Sequence, residues 1–241
     1  MKRLILKFLL LAALIAARPA GGLAQSNAAG TQGKAVFLIL GDSVMKTISV
    51  SLERDLAQSA EFRPVSFASI GSGLCRLDLL NWHEKIKALA ETEKPEAAVM
   101  LIGSNDNQPM QTEKGVLANG SDEWQAEYAR RVGKCMDILI AAGVKNIIWV
   151  SLPDMREADK QEHVQIVNRI FAQEAASRPG VAILDTQSIF SREPGKFTMY
   201  VLGPDGRPLY VRAQDGVHFN REGANRLAGR IIKKLDEVRK K

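Results

Sequence analysis

Short apolar runs that each end in a cluster of small and polar residues constrain this chain most. Residues 36–40 (Val-Phe-Leu-Ile-Leu) and 97–102 (Ala-Ala-Val-Met-Leu-Ile) carry no polar side chain. A strand built from either must be covered on both faces. Residues 64–68, 146–152 and 181–184 read as further short strands. Between the runs the period changes to that of a helix, as in Val44, Ile48, Leu52 and Leu56 of segment 44–60. Segments 79–93, 122–142, 160–177 and 221–239 read the same way, with Pro95 and Gly143 stopping two of them. This alternation predicts an α/β fold, a three-layer α/β/α sandwich around a mostly parallel five-stranded sheet. Right-handed crossovers place the carboxyl ends of all strands on one edge. Residues 107–121 read as a polar loop. Residues 191–214 read as a surface insertion, a hairpin turning at Gly203-Pro204-Asp205-Gly206. There is no internal repeat and no linker after residue 35, so 35–241 is one domain.

The first residues follow other rules. Lys2 and Arg3 precede an apolar run broken only by Lys7, and Gly22-Leu23-Ala24 offers a small-residue exit. Residues 1–24 therefore read as a secretory signal peptide cleaved after Ala24, and 25–34 as a flexible leader. The expected location is periplasmic or secreted, with membrane contact only through the signal peptide. The rival, an uncleaved anchor, has a run that is short for a span and a lysine inside it. Of the formal charge of +6, four cations (Lys2, Arg3, Lys7 and Arg18) belong to the leader, which has no acid. The remainder is close to neutral and lacks the footprint of a nucleic-acid binder. The cations near the end, Lys233, Lys234, Arg239, Lys240 and Lys241, suit a solvated helix terminus. Cys75 and Cys135 would meet oxidising conditions after export, but spacing does not say whether they pair. Neither belongs to a metal-ligand pattern, so no metal or cofactor is expected.

The chemistry-bearing residues follow the strands. The first strand delivers Gly41-Asp42-Ser43 to the edge where open α/β sheets hold ligands. Taken alone, this triplet is as well explained by Asp42 or Ser43 capping the next helix. Downstream residues shift the balance. A serine hydroxyl needs a base, and His218 is the candidate, with Asp215 three residues earlier to fix its tautomer. His83 and His163 lie in helical segments with no such partner. Backbone N–H groups of Ser43 and Gly73 and the side-chain amide of Asn105 are candidate oxyanion donors. Asp42 and Asp106 read as positioning residues that bind loop backbone.

Four blocks carry a resemblance to the SGNH, or GDSL-type, hydrolases: Gly41-Asp42-Ser43, Ser72-Gly73, Gly103-Ser104-Asn105-Asp106 and Asp215-Gly216-Val217-His218. They occur in the family's order and cover the chain from residue 36 to its end. The resemblance implies Ser43 as nucleophile, Gly73 and Asn105 as oxyanion hole, His218 as base and Asp215 as its partner. Val44 departs from the leucine of the family name, and Gly71 is a second glycine in the second block. Arg76, Asp78, Trp82 and Arg212 resemble a bacterial exported branch of poorly assigned function. The family contains esterases, carbohydrate O-deacetylases, lysophospholipases and O-acetyltransferases.

The function expected is thus a serine esterase acting through an acyl-enzyme on short-acyl esters, such as O-acetyl groups of an envelope carbohydrate or a small molecule. An O-acyltransferase would use the same residues. Arg76, Trp82 and Arg212, with Tyr200 and Tyr210, are candidates to line a polar substrate site, although most aromatics are core. The insertion offers no apolar stretch for a long acyl chain. Two rivals stand beside this. Asp42, Asp106 and Asp154 each follow a strand and could hold Mg²⁺ for phosphoryl chemistry, which leaves the Asp215–His218 pair without a role. A glycan-binding module without catalysis would not need the full Ser, Gly, Asn, Asp and His set.

Overall fold

The computed structural model describes residues 33–193 and 195–240. The proposed signal peptide and most of the leader lie outside them. Five strands, β1 (Ala35–Gly41), β2 (Phe62–Ala68), β3 (Ala97–Leu101), β6 (Asn146–Val150) and β7 (Val181–Leu184), form one sheet in the order β2-β1-β3-β6-β7, every pair parallel. Two small antiparallel hairpins stand apart from it: β4 (Met110–Thr112) with β5 (Gly115–Leu117), and β8 (Tyr200–Leu202) with β9 (Pro208–Tyr210). Five long helices connect the frame: α1 (Ser43–Ala57), α2 (Trp82–Glu93), α3 (Asp122–Ala141), α4 (Ala158–Ala176) and α6 (Arg221–Arg239). A single turn, α5 (Gln187–Phe190), follows β7.

The central strands β1, β3 and β6 are almost wholly buried, as unbroken apolar runs require. Helices α1 and α6 pack together, and α2, α3 and α4 pack side by side as a second layer. Phe171 of α4 sits between Trp149 of β6 and Tyr128 of α3, tying that layer to the sheet. Cys75 and Cys135 are both buried and free. Among the described residues no helix is long and apolar enough to cross a membrane.

The architecture is the one the apolar pattern predicts, with one refinement: the sheet is parallel throughout. The predicted hairpin in 191–214 is present, closed by Gly203 and Arg207. Residues 107–121 contain a second hairpin instead of a plain loop. Its strands are three residues each, too short to show alternation.

Gly41 closes β1 beside Leu101, the last residue of its parallel neighbour β3. A Cβ there would overlap the Leu101 carbonyl oxygen and lie 2.6 Å from the Met45 Cβ. Gly41→Ala should therefore cost about 1–3 kcal/mol, read as a lower urea midpoint with unchanged slope.

Candidate active site

Each strand of the sheet ends in a loop that contributes to one edge. Asp42 lies between β1 and α1 and is fully buried. Its Oδ1 accepts the Val44 N–H (2.9 Å), so it caps α1. Its Oδ2 accepts from the Gly103 N–H (3.1 Å), the Ser104 N–H (3.0 Å) and the Ser104 hydroxyl (2.8 Å). One carboxylate therefore joins the loop after β1 to the loop after β3. Burial pushes its pKa up, while these hydrogen bonds pull the other way. The capping reading thus holds for Asp42, and it leaves the Ser43 hydroxyl free for something else.

That hydroxyl faces His218. His218 Nε2 lies 2.9 Å from Ser43 Oγ, and His218 Nδ1 lies 2.7 Å from Asp215 Oδ2. Burial raises the Asp215 pKa, but the N–H groups of Val217 and His218 and the imidazole outweigh it and bring the carboxyl to about 2. Asp215 is therefore an acceptor only, and His218 must carry its proton on Nδ1. In the neutral imidazole the Nε2 lone pair then points at the serine. Two residues 175 positions apart in sequence meet at hydrogen-bonding distance.

Asp106, also fully buried, organises the glycine-rich loop after β2. Its carboxylate accepts the N–H groups of Leu74 and Cys75, each at 2.8 Å, and the Tyr128 hydroxyl at 2.9 Å. Arg131 holds the same loop from the other side, donating to the carbonyls of Leu74 (2.7 Å) and Cys75 (3.1 Å). The chain passes so close to Asp106 that any Cβ on residue 73 would collide with its carboxylate, whereas a Cβ on Gly71 would meet open space. This separates the two glycines of that block. The Gly73 N–H has no acceptor among the described residues. Asn105 donates one amide hydrogen to the Ser72 carbonyl (2.9 Å), which fixes its side chain and leaves the second hydrogen over.

Two proposed substrate contacts are corrected. Trp82 is fully buried: its ring packs edge-on against Phe67 and its Nε1–H donates to Ser72 Oγ at 3.2 Å. It supports the glycine loop from within and has no face for a sugar. Arg212 is 1% exposed and donates to the carbonyls of Asp154 (2.8 Å), Val217 (2.9 Å), Gly216 (3.4 Å) and His218 (3.4 Å). Burial lowers its pKa to about 10, so it remains a cation at neutral pH. Arg212 is a clamp on the loop that carries Asp215 and His218. Arg76 stays at the surface, held by Asp78 in a two-pronged ion pair.

The rival cation site also meets an obstacle. Asp42 and Asp106 are occupied by the donors above, and Asp154 accepts from Gln161 (2.7 Å), Gln187 and Ser191. Among the described residues no group of three potential ligands is clustered. His163, which sequence spacing left without a role, lies under the third block. Its Nε2–H donates to the Gly103 carbonyl at 2.9 Å, burial pushes its pKa down, and its Nδ1 has no partner among the described residues. Only its place on the buried face of α4 could have hinted at this.

A family model described as "Protein of unknown function (DUF459)" matches residues 36–234. The chain belongs to DUF459. No curated protein matches it. Among solved structures, this DUF459 chain is similar to the psychrotrophic esterase EstA from Pseudoalteromonas sp., captured in a form inhibited by monoethylphosphonate. That match has 10% identity, covers 86% of this chain and 100% of the other, and has a TM-score of 0.59. A lipase, Lip_vut3, from a goat rumen metagenome matches at 16% identity over 83% and 97% of the two chains, TM-score 0.52. The catalytic domain of peptidoglycan O-acetyltransferase A from Streptococcus pneumoniae matches at 16% identity over 86% and 96%, TM-score 0.50. At these identities the likeness establishes the fold: DUF459 has the SGNH hydrolase-like architecture.

Two measurements check the site's construction. Arg212→Met removes a buried donor set and should lower stability by about 2 kcal/mol or more, read by urea denaturation. Asp215 is more acidic folded than unfolded, so its stabilising contribution is complete above about pH 4 and is lost as pH falls towards 2. The melting-temperature gap between wild type and Asp215→Asn should therefore narrow over that interval.

Proposed function

We propose that this chain is a serine esterase that forms an acyl-enzyme on Ser43. The observation that carries the reading is the unbroken relay from Ser43 Oγ to His218 Nε2 (2.9 Å) and from His218 Nδ1 to Asp215 (2.7 Å). In this reading His218 takes the serine proton as Oγ attacks the ester carbonyl, and Asp215 stabilises the imidazolium. The N–H groups of Gly73 and Ser43 and the free hydrogen on Asn105 Nδ2 then stabilise the oxyanion. Ser43 is the first residue of α1, whose amino-terminal dipole favours negative charge there. The imidazolium returns its proton to the leaving alcohol, and water, activated by the same histidine, releases the acid. Asp42 and Asp106 touch none of the reacting atoms; their part is to hold the loops that bear them.

The substrate class proposed is a short-acyl ester, such as an O-acetyl group, on a carbohydrate of the cell envelope after export. Among the similar structures are an esterase, a lipase and a peptidoglycan O-acetyltransferase, each named for chemistry on acyl groups. Transfer to a sugar hydroxyl would use the same acyl-enzyme. Strand β8 exposes Tyr200 and Leu202, apolar surface that the insertion's sequence had not indicated. With residues 25–241, p-nitrophenyl acetate should be cleaved faster than its long-chain homologues. Ser43→Ala and His218→Ala should each lose at least about a thousandfold in kcat/KM, and an organophosphonate should modify Ser43. Retained turnover in Ser43→Ala would exclude the acyl-enzyme.

A further inference from the structure

Three arginines gather near the 215–218 loop and the glycine loop, and two are accounted for. Arg76 is neutralised by Asp78, and Arg212 is buried beneath four carbonyls. Arg156 is neither. It follows the carboxyl end of β6, and its backbone N–H donates to the Gly216 carbonyl at 3.3 Å. Gly216 lies so close that a Cβ on it would be 2.6 Å from the Arg156 Cβ. At the other end of the side chain, Nη1 donates to the Gln214 carbonyl at 2.7 Å, and the guanidinium lies 5.1 Å from the Phe197 ring centre. Arg156 is thus fastened on both sides of Asp215, by Gln214 and by Gly216.

Its charge, however, is unmatched. Arg156 is exposed, and among the described residues it forms no ion pair. The Nη2 group reaches only the Met199 sulfur (3.0 Å), a weak acceptor. The Nε–H, one hydrogen on Nη1 and both on Nη2 have no oxygen acceptor among the described residues. An ordinary surface arginine is a mobile, hydrated cation that would lose side-chain entropy on binding an anion. Here Phe197 and Gln214 already hold the guanidinium, which lowers that cost. Its planar fork also suits the two oxygens of a carboxylate.

We infer that Arg156 binds a carboxylate of the substrate, so that this chain acts on esters of acidic sugars. The inference rests on the esterase reading above and adds the charge of the molecule that bears the ester. Uronic-acid residues combine a carboxylate with acylated hydroxyls on one ring.

The test compares three probes at low ionic strength: an O-acetylated methyl glucuronoside, its neutral uronamide, and the corresponding O-acetylated glucoside 6-phosphate. Wild type should prefer the carboxylate over the uronamide by about threefold or more in kcat/KM, and salt should shrink the preference. Arg156→Gln should bring the ratio close to one, and Arg156→Lys should retain part of it. Because a ratio is read, a general loss of activity from a loosened 215–218 loop does not imitate the effect. Equal turnover of acid and amide by wild type, an unchanged ratio in Arg156→Gln, or a preference for the phosphate would overturn the inference while leaving the esterase intact. No turnover of any probe or of p-nitrophenyl acetate, with wild type equal to Ser43→Ala, would overturn both.

Discussion

Two carboxylates buried at the carboxyl edge of the sheet hold the loops there in register. Asp42 binds the loop after β3 through the Gly103 and Ser104 N–H groups, and Asp106, in that loop, binds the one after β2 through Leu74 and Cys75. A sheet alone would leave its loops free to splay. Each carboxylate instead gathers several donors, which satisfies a charge that burial would otherwise penalise. Arg131 and Arg212 do the reverse, placing a buried guanidinium against clusters of loop carbonyls. The candidate site is thus mounted on a framework of opposite charges that do not touch its reacting atoms.

Much of this was readable in the residues because it depends on burial and topology. The runs at 36–40 and 97–102 have only one stable environment, the middle of a covered sheet, and that fixes where Ser43 and Asn105 emerge. Asp215 and His218 were legible from a spacing of three and a loop position. Asp42 and Asp106 were legible as backbone binders, although which amides they take was not. The side chains that failed were long ones. Trp82 and Arg212 have types that suit a sugar site, but whether such a side chain turns outward or inward is decided by neighbours distant in sequence. For Trp82 these are Phe67 and Ser72, and for Arg212 the carbonyls of 154 and 216–218.

Arg156 escaped for a related reason. Nothing in Pro153-Asp154-Met155-Arg156 distinguishes it from other surface cations. The topological rule that marks Ser43 and Asn105 applies to it equally, because β6 ends on the same edge as β1 and β3. In such a fold every strand-to-helix loop brings side chains to that edge.

The two cysteines point to a separate property of the molecule. Both thiols are buried and unpaired, and burial pushes their pKa values upward. The thiolate is the form that attacks disulfides and peroxides, and here it scarcely forms. The fold therefore keeps both thiols out of thiol–disulfide exchange for as long as it stays closed over them.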